Sequence, residues 1–200
     1  MKVIGLCGGS GSGKGALCEL FRQKNIPTID TDLVYREITV GRSECLSALE
    51  KAFGKDIITE DGALNRRILS NIVFSGENSE RRLALLNSIA HRYILDEVRL
   101  RLNEYRLRGC SAAVVDAPVL YESGFDRECD IIICVIADYE TRISRIMARD
   151  NLSRDAAVMR ISSQISDAEL ISKVDYVIEN NSDIEALDNQ LRAVLKQIFD

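Results

Sequence analysis

A glycine-rich segment near the start of the chain, GGSGSGKG at residues 8–15, has the residue types and spacing needed to bind a phosphate group. It follows the apolar run at residues 3–7 and precedes a stretch that carries Leu17 and Phe21 at helical spacing. Glycines let successive backbone N–H groups curve around an anion, and the start of a helix adds partial positive charge. Lys14 supplies a charge for β- and γ-phosphates. We expect phosphate contacts from Ser10, Gly11, Ser12, Gly13, Lys14, Gly15 and Ala16.

The match to the phosphate-loop pattern Gly-x-x-x-x-Gly-Lys-[Ser/Thr] is complete through Lys14 and fails at the next residue. Position 15 is Gly, whereas the pattern has a hydroxyl that binds Mg²⁺. A flexible Gly/Ser hairpin is the alternative interpretation of the segment. Its place between a strand and a helix, together with the lysine, favours the phosphate site.

Three carboxylates follow strand-like runs. Asp30 and Asp32 come after residues 26–29, and Asp116 ends the run at 112–115 as in a Walker B strand. A kinase needs a carboxylate that accepts or orients the proton of the attacking hydroxyl, and carboxylates also hold Mg²⁺ through water. We therefore predict Asp32 as a base and metal residue, and Asp116 as a metal residue. The alternatives are a helix N-cap for Asp32 and a turn residue for Asp116.

An arginine row later in the chain could neutralise a transferring phosphoryl group. Arg142, Arg145 and Arg149 are spaced three and four apart, so they share one face of a helix. An ordinary solvated face is the alternative, but beside a phosphate loop the row favours a lid over about residues 142–168. We expect Arg142 and Asn180 to contact the nucleotide, and Arg145 and Arg149 to act with Lys14 in catalysis.

The elements that position these residues alternate between strands and helices. Strand-like runs occur at residues 2–7, 26–29, 112–116, 130–136 and 174–178. This alternation predicts a parallel sheet whose ligand lies beyond the carboxyl ends of the strands. Residues 43–110 contain no clear strand and show helical patterns at about 43–53, 65–75 and 79–107. We expect residues 1–42 and 111–200 to form a nucleotide-binding core, and residues 43–110 to form a helical insertion.

Composition excludes several other classes. The net charge of −5 argues against a nonspecific nucleic-acid binder. Six cysteines without a Cys-x-x-Cys pair, and a single histidine, argue against zinc and favour a reducing cytoplasm. The longest apolar run, at residues 131–137, is too short to span a bilayer, and we recognise no signal peptide. We therefore predict no membrane association, and we infer no obligate protein partner.

Several segments, taken in order, resemble the dephospho-coenzyme A kinase family, a P-loop kinase family, over nearly the whole chain. They match its phosphate loop, its Asp-Ala-Asp motif, its Asp-Gly-x-Leu-x-Arg segment, a phenylalanine before a helix break and a helical histidine. A later segment resembles Pro-Leu-Leu-x-Glu, and others match Arg-x-x-x-Arg-Asp, Arg-Ile-x-x-Gln and Val-Ile-x-Asn-Asn. The corresponding residues are 8–14, 30–32, 61–66, Phe74, His91, 118–122, 145–150, 160–164 and 177–181. Departures are Gly15 for Ser or Thr, Arg92 for Pro and Ser182 for Gly, of which only the first concerns chemistry.

The resemblance implies an α/β P-loop fold with a five-stranded parallel sheet, a helical substrate-binding insertion and an Arg-rich lid. It implies phosphorylation of the ribose 3′-hydroxyl of dephospho-coenzyme A by ATP with Mg²⁺, with Asp32 as the base and lid arginines on the phosphates. Substrate contacts are expected from Asp30, Asp32, Arg66, His91, Asp116 and Pro118. From sequence spacing alone, a lone helical histidine is more often structural. Two rival functions stay open: another small-molecule P-loop kinase, and a nucleotide-binding protein with weak or no catalysis.

Overall fold

The computed structural model describes all residues from 1 to 200 and contains one five-stranded parallel sheet in the order β2-β3-β1-β4-β5. The strands are β1 (Lys2–Cys7), β2 (Thr28–Asp30), β3 (Ala112–Asp116), β4 (Ile131–Ile136) and β5 (Tyr176–Glu179). Ile4 in the central strand lies opposite Val114 on one side and Ile131 on the other. The predicted five-stranded parallel sheet is confirmed.

Helices flank and connect the strands. They are α1 (Lys14–Gln23), α2 (Thr31–Glu37), α3 (Glu44–Phe53), α4 (Arg66–Phe74), α5 (Ser79–Leu107), α6 (Tyr139–Asp150), α7 (Arg154–Ser162), α8 (Asp167–Ile171) and α9 (Ile184–Phe199). Single 3-10 turns occur at Lys55–Ile57 and Phe125–Glu128. No helix has both the length and the apolar character required to cross a membrane.

Strand β2 begins two residues later than the sequence pattern predicts. The backbone N–H of Ile26 donates to the carbonyl of Phe21 at 3.0 Å, so Ile26 still belongs to the turn that closes α1. Pro27 has no N–H, but its carbonyl accepts from Val114 at 2.9 Å. The chain therefore joins the sheet through the Pro27 carbonyl, and β2 starts at Thr28.

The chain forms two compact units, Met1–Ile29 with Glu104–Asp200, and Asp30–Asn103. In the first, Ile4, Leu6 and Ile133 of the sheet pack with Phe21 of α1 and Leu191 of α9. Burying each such side chain contributes roughly 1.5–3 kcal/mol, so this core holds β1 and α1 on either side of the glycine-rich loop.

The second unit has its own apolar core, which includes Leu49, Ile57 and Val73. It begins at Asp30 rather than at the predicted residue 43, because Tyr35 and Ile38 also pack against this core. It ends at Asn103, earlier than the predicted residue 110. The sequence pattern could not locate these limits, since α2 has no strand or break that separates it from the preceding core.

Candidate active site

The glycine-rich loop joins the end of β1 to the start of α1. Gly13 takes the N-cap position of α1 with φ 97°, and no side chain caps that end of the helix. The first helical turn contains no acidic residue. The first amides of a helix have no acceptor within it, although here the Ala16 N–H donates to the Gly13 carbonyl at 3.0 Å. The Lys14 ammonium group donates to the Gly8 carbonyl at 2.8 Å. A positive charge together with backbone N–H groups that lack an acceptor makes this helix N-terminus suited to bind an anion.

A buried arginine, Arg142, holds the loop by hydrogen bonds. Arg142 is 4% exposed, and its Nε donates to the Ser10 carbonyl at 2.9 Å. Its Nη1 donates to both carboxylate oxygens of Asp167 at 2.9 and 3.1 Å, and its Nη2 donates to Gln164 Oε1 at 3.3 Å. Each guanidinium nitrogen thus donates to a protein oxygen, which makes Arg142 a structural cation of the loop in this structure.

Arg145 and Asn180 hold the next part of the loop. Arg145 Nη1 donates to the Gly11 carbonyl at 3.3 Å, and its Nη2 donates to Asn180 Oδ1 at 3.4 Å. Asn180 is buried, and its Nδ2 donates to the Ser12 carbonyl at 2.8 Å. These contacts turn the loop carbonyls toward protein donors. The carbonyl oxygens therefore do not repel an anion bound by the loop amides.

The closeness of these side chains explains two of the loop glycines. A Cβ on Gly13 would lie 1.9 Å from Asn180 Nδ2, and the positive φ of Gly13 already disfavours a side chain. A Cβ on Gly9 would lie 2.1 Å from Arg142 Nη2. A side chain at either position would therefore displace Asn180 or Arg142 from the loop backbone.

The third arginine of the row has a different environment. Arg149 is exposed at the end of α6 and pairs with Asp150 at 2.8 Å, and Arg160 of α7 pairs with the same carboxylate. The hydrogen bond from Arg149 and the nearby charge of Arg160 lower the pKa of Asp150 to about 2. The predicted row therefore contains two arginines on the loop and one at the surface.

The other residues of the first unit lie at the ends of β1 and β3. Asp116 is the last residue of β3, and its Oδ2 accepts from Cys18 Sγ at 3.7 Å. Pro118 lines a cleft of about 250 Å³ together with Gly8, Gly9 and Gln164. Cys7, directly before the loop, also lines the cleft; its hydrogen bond with Cys134 and its burial raise its pKa, which keeps the thiol neutral.

In the second unit, the helix cap differs from the sequence expectation. Asp30, not Asp32, is the N-cap of α2, because Asp30 Oδ1 accepts from the backbone N–H groups of Asp32 at 2.9 Å and Leu33 at 3.1 Å. Asp32 lies in the first turn of α2. The α2 cap is therefore Asp30, and the N-cap interpretation of Asp32 is wrong.

Arg66 and His91 also belong to the second unit. Arg66 Nη2 donates to Thr39 Oγ1 at 2.9 Å, and its guanidinium lies 5.8 Å from the centroid of the Tyr35 ring. Burial raises the pKa of Tyr35. His91 is half-buried within α5. Both candidate residues lie on helices of the second unit.

The family model described as dephospho-CoA kinase matches residues 2–186. The chain belongs to the dephospho-CoA kinase family. A Bacillus cereus dephospho-CoA kinase is 36% identical over 195 residues, which cover 98% of this chain and 96% of the relative. The family resemblance inferred from the ordered motifs is thus confirmed.

Two solved structures extend this likeness to the fold. The Thermus thermophilus protein TT1252 is similar with a TM-score of 0.81 and 28% identity, covering 100% of this chain and 98% of its own. A Campylobacter jejuni dephospho-CoA kinase has a TM-score of 0.72 and 24% identity, covering 99% and 98%. The sheet, the loop and the helices around them are those of a P-loop kinase.

The dephospho-CoA kinase motifs did not reveal every residue that shapes this site. The structure brings Lys14, Arg142, Arg145 and Asn180 together on the loop. Their contacts with a nucleotide stay a prediction. Sequence reasoning missed Asp167, which pairs with the buried Arg142. It noticed Gln164 only as the last residue of the Arg-Ile-x-x-Gln segment and assigned it no role. The Arg-Ile-x-x-Gln segment is the sequence signal from which the contact between Gln164 and the loop could have been predicted.

Proposed function

We propose that the chain transfers the γ-phosphoryl group of ATP to the ribose 3′-hydroxyl of dephospho-CoA, forming CoA and ADP. The observation that carries this proposal is the family match over residues 2–186, on a chain with a complete phosphate loop through Lys14. As the last step of CoA synthesis, the reaction needs a donor site, an acceptor site and a base.

The donor site is the loop in the first unit. The amides at the start of α1 and the Lys14 ammonium group bind the β- and γ-phosphates, and Asn180 and Arg145 keep the loop in its binding conformation. Arg149 is exposed and paired only with a neighbouring carboxylate, so it can turn toward the transferring group. In phosphoryl transfer, such cations stabilise the charge spread over the equatorial oxygens.

Asp32 is the proposed base, because a carboxylate in the first turn after β2 can accept the proton of the 3′-hydroxyl. Mg²⁺, carried with the nucleotide, would neutralise phosphate charge. The residues fit such an ion: Asp116 and Asp32 are hard oxygen ligands, and Mg²⁺ is usually held by one or two carboxylates together with phosphate oxygens and waters. The chain contains no group of three or more His, Cys, Asp or Glu side chains that could hold a metal.

The acceptor is proposed to bind through Asp30, Asp32, Arg66, His91, Asp116 and Pro118. Arg66 and His91 supply the cationic or hydrogen-bonding groups that an anionic coenzyme requires, and Pro118 provides apolar surface beside the cleft.

All six cysteines are free thiols, which supports the proposed cytoplasmic location.

An acceptor comparison tests this function. ATP consumption with Mg²⁺ is measured with dephospho-CoA, adenosine, a nucleoside monophosphate and gluconate at equal concentrations. We expect the highest kcat/KM with dephospho-CoA and phosphorylation at the ribose 3′ position. A higher value with another acceptor would assign the chain to a different substrate, and ATP binding without turnover on any of them would favour a noncatalytic nucleotide-binding role.

A further inference from the structure

Gln164 contacts the phosphate loop from the turn between α7 and α8. Its Oε1 accepts from the backbone N–H of Ser10 at 2.9 Å, and its Nε2 donates to Ser10 Oγ at 3.1 Å. The same Oε1 accepts from Arg142 Nη2 at 3.3 Å. One carboxamide therefore joins the loop backbone, a loop side chain and the buried arginine.

These bonds complete the attachment of Ser10. Its carbonyl accepts from Arg142 Nε, so the N–H, the carbonyl and the hydroxyl of this residue all have partners outside the loop. Gln164 itself is exposed. Three polar contacts from an exposed side chain to one loop indicate that its contribution is to loop geometry more than to core packing.

Peptide geometry shows what this attachment achieves. In a trans peptide the carbonyl of one residue and the N–H of the next point in opposite directions. Arg142 holds the Ser10 carbonyl on the protein side and thereby directs the Gly11 N–H away from that side. Asn180 does the same for the Ser12 carbonyl and the Gly13 N–H. Gln164 bonds to both Ser10 and Arg142 and holds them together. It thereby contributes to the direction of the Gly11 N–H.

We propose that Gln164 is a positioning residue that holds Ser10 and Arg142 in the arrangement in which the loop amides bind phosphate. The inference rests on the proposed binding of ATP phosphates by this loop. It assigns no contact between Gln164 and the reacting atoms. Its effect should therefore fall on binding of the polyphosphate, and not on the acceptor.

Direct ATP binding to the Gln164→Leu variant, measured without acceptor, tests the proposal. Leucine has nearly the same size and removes all three polar contacts, and we expect ATP affinity to fall about tenfold, since each net hydrogen bond is modest. AMP, which lacks β- and γ-phosphates, should lose less affinity. In turnover assays the KM for ATP should rise while the KM for dephospho-CoA stays unchanged.

Gln190→Leu is the matched control. Gln190 also uses both ends of its carboxamide, accepting from the N–H of Glu179 at 2.9 Å and donating to its carbonyl at 2.7 Å. We expect this variant to lower Tm with little change in ATP affinity. If Gln164→Leu and Gln190→Leu lost similar ATP affinity at a similar decrease in Tm, the loss would reflect general destabilisation. That result would overturn the proposal.

A double-mutant cycle with Ser10→Ala provides a second readout. If Gln164 acts through Ser10, the loss caused by Gln164→Leu should be smaller in the Ser10→Ala background, whereas independent effects would add. Unchanged or tighter ATP binding in Gln164→Leu would overturn the proposal, the latter by showing that Gln164 competes with phosphate. If the wild type binds ATP but does not phosphorylate dephospho-CoA, the proposed function fails while the binding test still decides the role of Gln164.

Discussion

Position 15 allows a test of how this chain holds Mg²⁺ without the usual hydroxyl. Gly15 is the second residue of α1, and it is exposed. A Cβ built at this position meets no atom within 4 Å, and its φ is not among the positive values. Serine and alanine should therefore both fit without strain, and the pair separates the effect of a hydroxyl from the effect of a side chain.

The structure predicts a gain in stability for both variants. Glycine in a helix interior costs about 1 kcal/mol relative to alanine, and serine lies between the two. Because position 15 is in the first turn, we expect at most about 1 kcal/mol for Gly15→Ala and roughly half of that for Gly15→Ser. For a chain of this size, 1 kcal/mol corresponds to a Tm increase of about 2–4 °C.

The effect on Mg²⁺ should be confined to serine. Its hydroxyl can replace one water in the oxygen shell of the ion, whereas alanine offers no ligand. If that ligand contributes about 1 kcal/mol, the Mg²⁺ concentration for half-maximal turnover falls roughly fivefold. The wild type should stay active, since Mg²⁺ readily keeps water in the same place.

Turnover at fixed ATP is titrated with Mg²⁺ for the wild type, Gly15→Ala and Gly15→Ser, alongside thermal unfolding. A leftward shift for serine alone supports a missing ligand at position 15. An equal shift for alanine would assign the effect to helix stability, and no shift for serine would refute the reasoning about the ligand position.

Two further predictions concern the carboxylates. Asp32→Asn should lower kcat by about 10²–10⁴-fold with little change in ATP affinity. Asp30→Ala should destabilise the fold by about 1 kcal/mol through loss of the α2 cap and should also raise the KM for dephospho-CoA, since Asp30 is proposed to bind the acceptor. Near-normal turnover of folded Asp32→Asn, measured by coupled assay, would remove Asp32 as the base. Because Arg149 and Arg160 lower the folded-state pKa of Asp150 to about 2, the stabilisation from this carboxylate is present above its unfolded pKa of about 3.9 and is lost as the pH falls toward 2. Unfolding measured across that window should show a shallower acid loss for Asp150→Asn, and identical profiles would mean that this exposed ion pair contributes nothing measurable.

The central strands β1, β3 and β4 could be predicted from sequence because they are buried on both faces. Residues 112–115 and 131–135 are apolar without interruption, which is typical of parallel strands, and both runs became strands close to the predicted limits. The limits of the insertion were harder to predict. Tyr35 and Ile38 pack into its core from a helix that the sequence does not separate from β2.

The arginine row shows where periodicity stops being informative. Spacing places Arg142, Arg145 and Arg149 on one helix face, but it cannot say which guanidinium is buried. Burial depends on Asp167, which lies in another helix and balances the charge of Arg142 at 2.9 Å. A single acidic residue in a short helix has no periodic signal, so this partner could be found only in three dimensions.

The glycines of the loop have two separate physical causes, and only one is visible in the sequence pattern. Gly13 needs a left-handed backbone, which the phosphate-loop pattern encodes. Gly9 has no such backbone requirement, yet a Cβ there would lie 2.1 Å from Arg142 Nη2. Arg142 is itself held by Asp167 and Ser10, so it cannot move aside without losing those bonds. Gly9 and Arg142 therefore act as one structural unit, and we expect a side chain at position 9 to be tolerated better when the side chain at position 142 is shortened.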